Sequence, residues 1–380
     1  MRVVHVVTFM DRAGSFGGPA TVASNQVAAL SDQGCDAIVV TGCPPDEETA
    51  SSGVACAVGV RRWLPMGRFS GLMSWRLLSV LNREIAASDV VHVHLARDLV
   101  PLAAVVLSLR HGRPLFVQPH GMVAPTPEAT KRVVDLLVTR RALRSAHAVF
   151  FLTDHERRDL EEVAGRPLTR ASLLRNGAPR VTPRSTRSAA LASVLCLARL
   201  APRKRVVEFT ELACRLAAGW SDVTFDIAGP DGGELTRLHA VLTGSPASNV
   251  TYRGALGHDE AIEAMREADL LVLPSVDEPY PMTVIEAMLV GTPVIVTDRC
   301  GLADVVEEYG AGLVVEPTPR ALQTALESLH DDPSRLPEMS ARAQRLAEEQ
   351  FTMVPVVEAL MNSYRSAVER SGRARRSPRV

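Results

Sequence analysis

Short, continuously apolar runs alternate with helix-patterned segments along almost the whole chain, and this constrains the fold more than any other feature. Residues 3–8, 37–41, 90–94, 115–118 and 148–152 read as strands. Such runs lack the polar alternation of a half-exposed strand, so both faces must be covered. A helix is expected over residues 21–31, where Val22, Gln26, Val27 and Leu30 fall on related faces. Apolar strands separated by helices imply parallel sheets with helices on either side. Residues 176–190 break the rhythm with Asn176-Gly177, Pro179, Pro183 and a Ser/Thr/Arg cluster, which read as a linker. The pattern then restarts, with strands at 194–197, 223–228, 250–252, 270–273, 294–297 and 313–315. Helices are expected at 206–218, 258–267, 319–329, 333–350 and 354–369. The reading is two doubly wound α/β units of similar size, joined near residue 185.

A length of 380 residues suits two domains, and 46% hydrophobic residues suffice for two cores. The net charge of -1 conceals an asymmetry. Residues 1–185 hold 22 Lys+Arg against 16 Asp+Glu, and the remainder holds 20 against 27. A basic first half could face anionic ligands or a membrane surface, or be an ordinary solvated surface. Six scattered cysteines without a Cys-x-x-Cys pair argue for reduced thiols and against a zinc site. The start of the chain is too short an apolar run for a signal peptide, and no stretch reaches the length of a membrane span. A cytoplasmic protein is expected, with peripheral contact at an anionic membrane as the variant. The Arg-rich tail, 370–380, is expected to be disordered.

Four clusters could carry chemistry. Asp277-Glu278-Pro279-Tyr280-Pro281-Met282-Thr283 follows an apolar strand and leads into a helical pattern containing Glu286. A helix starting there would offer the Met282 and Thr283 N–H groups to an anion. Glu286, one turn further on, could accept bonds from a diol. On a continuous helix Glu278 and Glu286 would be about 12 Å apart, wider than a glycosidase pair. Arg199, Arg203 and Lys204 follow the strand at 194–197, at the strand end where open α/β sheets bind ligands. A diphosphate would suit a forked Arg and a point-charge Lys; a solvated basic turn would look the same. Gly17-Gly18 stands between the first strand and first helix, either as an anion-facing loop or as a plain turn. His120 precedes Gly121 at a strand end, either contacting a substrate or satisfied structurally. His92 and His94 share one face of a strand near Asp98, more in keeping with hydrogen bonding than with a metal.

Taken together, these residues resemble the glycosyltransferases of family four, over residues 1 to about 365. The strongest likeness is Glu278-Pro279-Tyr280-Pro281 through Glu286-Ala287-Met288, followed by Gly291-Thr292-Pro293-Val294-Ile295, similar to the family's paired-glutamate motif and next strand. Arg199 and Lys204 match the family's basic pair, Gly17-Gly18 its glycine loop, Asn176-Gly177 the turn before its linker, and His120 its active-site histidine in placement. Ala198 and Arg205 stand where the family usually has Gly, and Tyr280-Pro281 where Phe-Gly is commoner.

The resemblance implies a GT-B fold, with two Rossmann-like domains facing a central cleft: 1–185 for the acceptor, 186–353 for the donor, and a helix at about 354–369 crossing back to the first. It implies retaining transfer of a hexosyl or N-acetylhexosaminyl unit from a nucleoside diphosphate sugar, by default uridine-linked, with no metal or other cofactor. His120, Arg199, Lys204 and Glu278 would be catalytic. Gly17, Gly18, Met282, Thr283 and Glu286 would bind the donor. The acceptor would be a soluble natural-product core, such as an aminocyclitol, or a lipid-linked glycan; no nucleic acid is expected, and oligomeric state stays open. The competing readings are a nucleotide-sugar epimerase of the same architecture and a binding protein that holds a nucleotide sugar without turnover.

Overall fold

The computed structural model describes residues 1–11, 18–49, 55–65, 69–184 and 189–376. It divides into two compact units, Met1–Gly177 with the chain from Met353 onward, and Ala178–Thr352.

The first unit runs β1 (Arg2–Phe9), α1 (Gly18–Asp32), β2 (Asp36–Cys43), β3 (Ala55–Gly59), the two-residue strands β4 (Arg61–Arg62) and β5 (Leu72–Met73), α2 (Trp75–Ala87), β6 (Val90–His94), α3 (Leu99–Arg110) and β7 (Leu115–Gln118). It continues with α4 (Ala129–Val134), a π-helical turn (Asp135–Thr139), α5 (Arg140–Ser145), β8 (Ala148–Phe151), α6 (Asp154–Ala164) and β9 (Ala171–Leu173). Seven strands form one sheet in the order β3-β2-β1-β6-β7-β8-β9, with all six strand pairs parallel. Every residue of β6 and β7 is buried, which is why these strands are apolar runs rather than alternations. Val4, Val6, Val91 and Val93 pack on one side with Leu77, Leu81 and Ile85 of α2. Val3, Val7 and Phe116 pack on the other with Val27 and Leu30 of α1. Burying a side chain of this size contributes about 1.5–3 kcal/mol.

The second unit runs β10 (Ser193–Leu197), α7 (Val206–Ala217), β11 (Thr224–Ala228), α8 (Leu235–Gly244), β12 (Val250–Tyr252), α9 (His258–Glu267), β13 (Leu270–Leu273), α10 (Met282–Leu289), β14 (Val294–Thr297), α11 (Ala303–Tyr309), β15 (Gly312–Val315), α12 (Pro319–Asp331) and α13 (Leu336–Gln350). Its six-stranded sheet has the order β12-β11-β10-β13-β14-β15 and is parallel throughout. The chain builds outward from β10 to β12 and then returns to lay β13 beside β10. In such sheets ligands bind outside the strand ends at this reversal. The first unit has the same reversal between β1 and β6.

The chain leaves the first unit between Gly177 and Ala178, earlier than the 185 read from composition. Ala178 bridges Thr352, and its N–H donates to the Phe351 carbonyl at 2.8 Å, so the segment is already tied into the second unit. The last helix, α14 (Met353–Arg376), belongs to the first unit, where Val356, Leu360, Tyr364 and Ala367 enter the core beside α1. The tail expected to be disordered from 370 is therefore helical through Arg376; arginine is a good helix former, and the first proline comes at 378. All six cysteines are free. No described helix is long and apolar enough to cross a membrane.

Candidate active site

In the second unit, the loops after β10, β11, β13 and β14 are joined by backbone bonds. Leu200 N–H donates to the Pro230 carbonyl at 2.9 Å, and Gly232 N–H to the Leu200 carbonyl at 3.0 Å. Val276 N–H donates to the Arg203 carbonyl at 2.9 Å, and Arg203 Nη1 returns a bond to the Asp277 carbonyl at 3.0 Å. Glu278 pairs with Cys300 through a short bridge, in which Gly301 N–H donates to the Glu278 carbonyl at 2.8 Å. These bonds bring the basic loop and the glutamate loop together at the reversal between β10 and β13.

Lys204 and Glu278 meet as a hydrogen-bonded ion pair, both largely buried. Burial lowers the Lys204 pKa, Glu278 opposes that shift, and the charges of Arg203 and Arg199 add to it. Lys204, Arg203 and Arg199 thus lie within electrostatic reach of one another, a grouping of cations that would suit a diphosphate. Helix α10 starts beside this group with Pro281 at its N-cap. Its first closing bonds run from Val284 and Ile285 to the Pro281 carbonyl, so Met282 and Thr283 precede them and have no intrahelical acceptor. Glu286 lies on the same short helix; burial pushes its pKa up to about 7. Glu278 lies outside the helix, so the separation expected for a continuous helix does not apply.

The departures from the family pattern become legible here. Arg205 has φ 54°, and Asp277 has φ 57°, both in the left-handed region that favours glycine. Together with His120 of the first unit, also at φ 54°, they are the non-glycine residues of positive φ among those described. Strained backbone of this kind gathers where the surroundings over-determine a conformation. Sequence reasoning missed the loop 229–233. Gly229 has φ 142°, and a Cβ there would lie 2.0 Å from the Ala198 carbonyl oxygen, so only glycine lets this loop reach the basic one. The signal was present as Gly229-Pro230-Asp231-Gly232-Gly233 directly after a strand.

In the first unit, His120 ends the turn after β7, and Gly121 follows at φ 75°. The buried Glu156 carboxylate accepts the Gly121 N–H and the Leu152 N–H, both at 2.6 Å, and holds this turn. His120 Nε2 meets His94 Nδ1 at 2.7 Å with the rings stacked, and His94 Nε2 meets His5 Nδ1 at 3.1 Å. His92 bonds Tyr364 of α14 instead, at 2.5 Å. The paired strand histidines therefore hydrogen-bond outward into separate partners. Asp98 accepts from Thr8 Oγ1 at 2.7 Å. Among the described residues no group of three or more His, Cys, Asp or Glu is placed to hold a metal. Burial lowers the pKa of His5 and His120 to about 3, so both are neutral near pH 7. Gly18 opens α1, whereas Gly17 lies outside the described residues.

Two parallel, doubly wound sheets of this kind define the GT-B class of glycosyltransferase. Solved structures share the fold. HepE from Anabaena, in complex with UDP-glucose, superposes with a TM-score of 0.73 at 18% identity, covering 96% of this chain and 100% of that one. Sucrose-phosphate synthase from Thermosynechococcus elongatus gives 0.72 at 18% identity, covering 96% and 98%. The profile of glycosyl transferases group 1 matches residues 186–349, and that of a glycosyl transferase 4-like domain matches residues 17–177. The chain belongs to glycosyltransferase family four. Among curated relatives, the alpha-D-kanosaminyltransferase of Streptomyces kanamyceticus is 28% identical over 307 residues, 75% of this chain and 78% of that protein. A D-inositol 3-phosphate glycosyltransferase of Rhodococcus jostii is 34% identical over 146 residues, 37% of this chain and 32% of that one.

Proposed function

We propose that this glycosyltransferase moves a hexosyl unit from a nucleoside diphosphate sugar to an acceptor hydroxyl, with retained anomeric configuration and without a metal ion. The observation that supports this most is the joining of the loops after β10 and β13, which sets Arg199, Arg203 and Lys204 beside Glu278 and the start of α10. In the reaction the bond from the anomeric carbon to the diphosphate breaks, and the acceptor oxygen bonds to that carbon. The acceptor proton passes to the leaving diphosphate. Charge grows on the diphosphate as the bond breaks, so fixed cations and helix N–H groups favour the transition state over the ground state. Glu286 is proposed to accept the ribose diol, Glu278 to position the sugar, and His120 to contact a substrate hydroxyl. The inositol 3-phosphate in the name of one relative favours a small cyclitol-like acceptor, and the UDP-glucose complex of HepE favours a uridine donor.

A panel of donors, scored by released nucleoside diphosphate with and without a chelator, tests this reading. Uridine donors should give turnover that the chelator does not reduce, and the product anomer read by NMR should match the donor. Lys204→Ala should lower kcat about 100-fold, the loss typical of one transition-state contact. Release of an epimerised free sugar, or tight donor binding with no turnover across the acceptor panel, would replace transfer by epimerisation or by simple binding.

One observation favours a membrane-borne acceptor as a second reading. Val133, Leu136 and Leu137 are exposed at 54%, 63% and 67%, beside Arg132 and Arg141 on the α4–α5 segment. Apolar side chains rimmed by arginine suit an anionic bilayer surface. Co-sedimentation with anionic vesicles, lost in Leu136→Glu/Leu137→Glu, would support it.

A further inference from the structure

The first unit carries a second cationic pocket, at the other edge of its sheet from His120. His147 and Arg170 stand immediately before β8 and β9, at the amino ends of these parallel strands, whereas His120 follows the carboxyl end of β7. Backbone bonds fix both positions. His147 N–H donates to the Leu115 carbonyl at 2.7 Å, and the Arg170 carbonyl accepts the Val149 N–H at 2.9 Å. Arg370 and Ser371 of α14 complete the lining of an open pocket of about 580 Å³.

The charges here are left uncompensated. Arg170 reaches only the Ala146 carbonyl, at 3.5 Å, and Arg370 only Ser366 Oγ, at 2.8 Å, one turn back on its own helix. Among the described residues neither guanidinium pairs with a carboxylate. Arg2, on the same edge of the sheet, shows the contrast: it is paired with Glu84 at 2.5 Å and Asp36 at 3.6 Å. His147 is half-buried, and its Nδ1 is enclosed without a hydrogen bond, a situation native proteins keep rare. Burial lowers the His147 pKa, and the charges of Arg170 and Arg370 lower it further. An anion in the pocket would offset both arginines and let the ring regain its proton.

The chemistry of the lining selects the anion. Guanidinium forks match the oxygens of a phosphoryl group, and a serine hydroxyl adds a neutral donor. Two arginine charges balance the roughly -1.5 to -2 of a phosphomonoester at pH 7. The pocket is larger than one phosphoryl group needs, which leaves room for the body of a small molecule.

We propose that His147, Arg170, Arg370 and Ser371 form a binding site for the phosphoryl group of a small phosphorylated ligand, in addition to the donor site of the second unit. Ligand bound there joins α14 to the amino ends of β8 and β9. The site does not depend on the glycosyl-transfer reading above.

The test follows the His147 ring by ¹H–¹³C correlation on the full chain labelled at histidine, with His147→Asn identifying its signal. Inorganic phosphate and pyrophosphate should each shift this signal saturably and raise the His147 pKa. The response should persist in Lys204→Ala, which alters only the diphosphate site proposed in the second unit. Arg170→Ser/Arg370→Ser should raise the Kd by about tenfold or more, the loss expected for charge-assisted hydrogen bonds. A His147 signal that moves no further with pyrophosphate than with sodium chloride at equal ionic strength overturns the proposal without needing any variant. An unchanged Kd in the folded double variant overturns it too. A response to vesicles containing phosphatidic acid, with none to phosphate or pyrophosphate, overturns the small-ligand assignment and gives the pocket to a lipid surface.

Discussion

Glu286, proposed to bind the donor ribose, would serve a ligand at the expense of the free fold. Its carboxyl is 9% exposed, and burial pushes its pKa up to about 7 from an ordinary 4.5. The folded chain keeps this proton at pH values where the unfolded chain has lost it. The contribution of this group to stability is thus greatest below pH 4.5 and declines as pH rises toward 7, by about 3 kcal/mol as an upper figure. Glu286→Gln removes the ionisable group and keeps the shape. It should raise the urea midpoint of the unliganded protein at pH 8, and raise the Kd for a nucleoside diphosphate sugar at least tenfold. A lower midpoint at pH 8 would mean that the carboxylate is satisfied by the protein, contrary to this reading. Arg205 carries a different cost. At φ 54° its side chain donates to the Pro317 carbonyl, so a bond and a strained backbone compete at one position. Arg205→Ala and Arg205→Gly both lose the bond, but only Gly relieves the backbone. The Gly variant should be the more stable of the two by about 1 kcal/mol, measured by denaturation under one set of conditions.

At the level of elements, the fully buried parallel strands were legible because burial on both faces writes itself as an apolar run. Observed β6, β7, β12, β13 and β14 begin and end where the runs do. The two-residue strands β4 and β5 left no such trace, because two paired residues set no periodicity. Of the site, the basic loop and the glutamate segment could be read because each follows a strand. The loop 229–233 could not be assigned from its glycines alone, since Gly-Pro-Asp-Gly-Gly reads first as a turn. Its role depends on a close approach: Gly229 N–H donates to the Gly254 carbonyl at 2.8 Å, and Tyr252 Oη to the Gly229 carbonyl at 2.8 Å. Gly229→Ala should therefore push the loop off Ala198. We expect a loss of at least 2 kcal/mol in stability and a donor Kd raised tenfold or more, read by calorimetric titration. A variant that binds donor normally would show that this loop can move without carrying the Arg199 loop with it. The histidine chain was the least legible part. His5 lies inside an apolar run and Tyr364 inside an amphipathic helix, and only the β1–β6 register and the packing of α14 bring them together.

Across the whole molecule, the buried ionisable groups make the two units respond oppositely to acid. In the first unit His5, His92, His94 and His120 are all held neutral by burial, with pKa values below the ordinary 6.5. Unfolding frees these imidazoles to take up protons below pH 6.5, so the unfolded state binds more protons and stability falls with pH. Each contributes roughly 1 kcal/mol of loss between pH 6.5 and 5.5. Glu156 in the same unit, its pKa raised mainly by burial, works the other way, as one group against four. In the second unit Glu286 regains its proton over the same interval and returns about 1 kcal/mol. Hydrogen exchange read by mass spectrometry, corrected for intrinsic rates, separates the two responses. Between pH 6.5 and 5.5 the β1 and β6 peptides should lose protection while the β10 and β13 peptides hold or gain it. His92→Asn should flatten the first response, because it removes one proton-accepting ring from the unfolded state, and leave the second unaltered. An equal fall of protection in both sheets would show that the units open together, or that charges elsewhere outweigh these six groups.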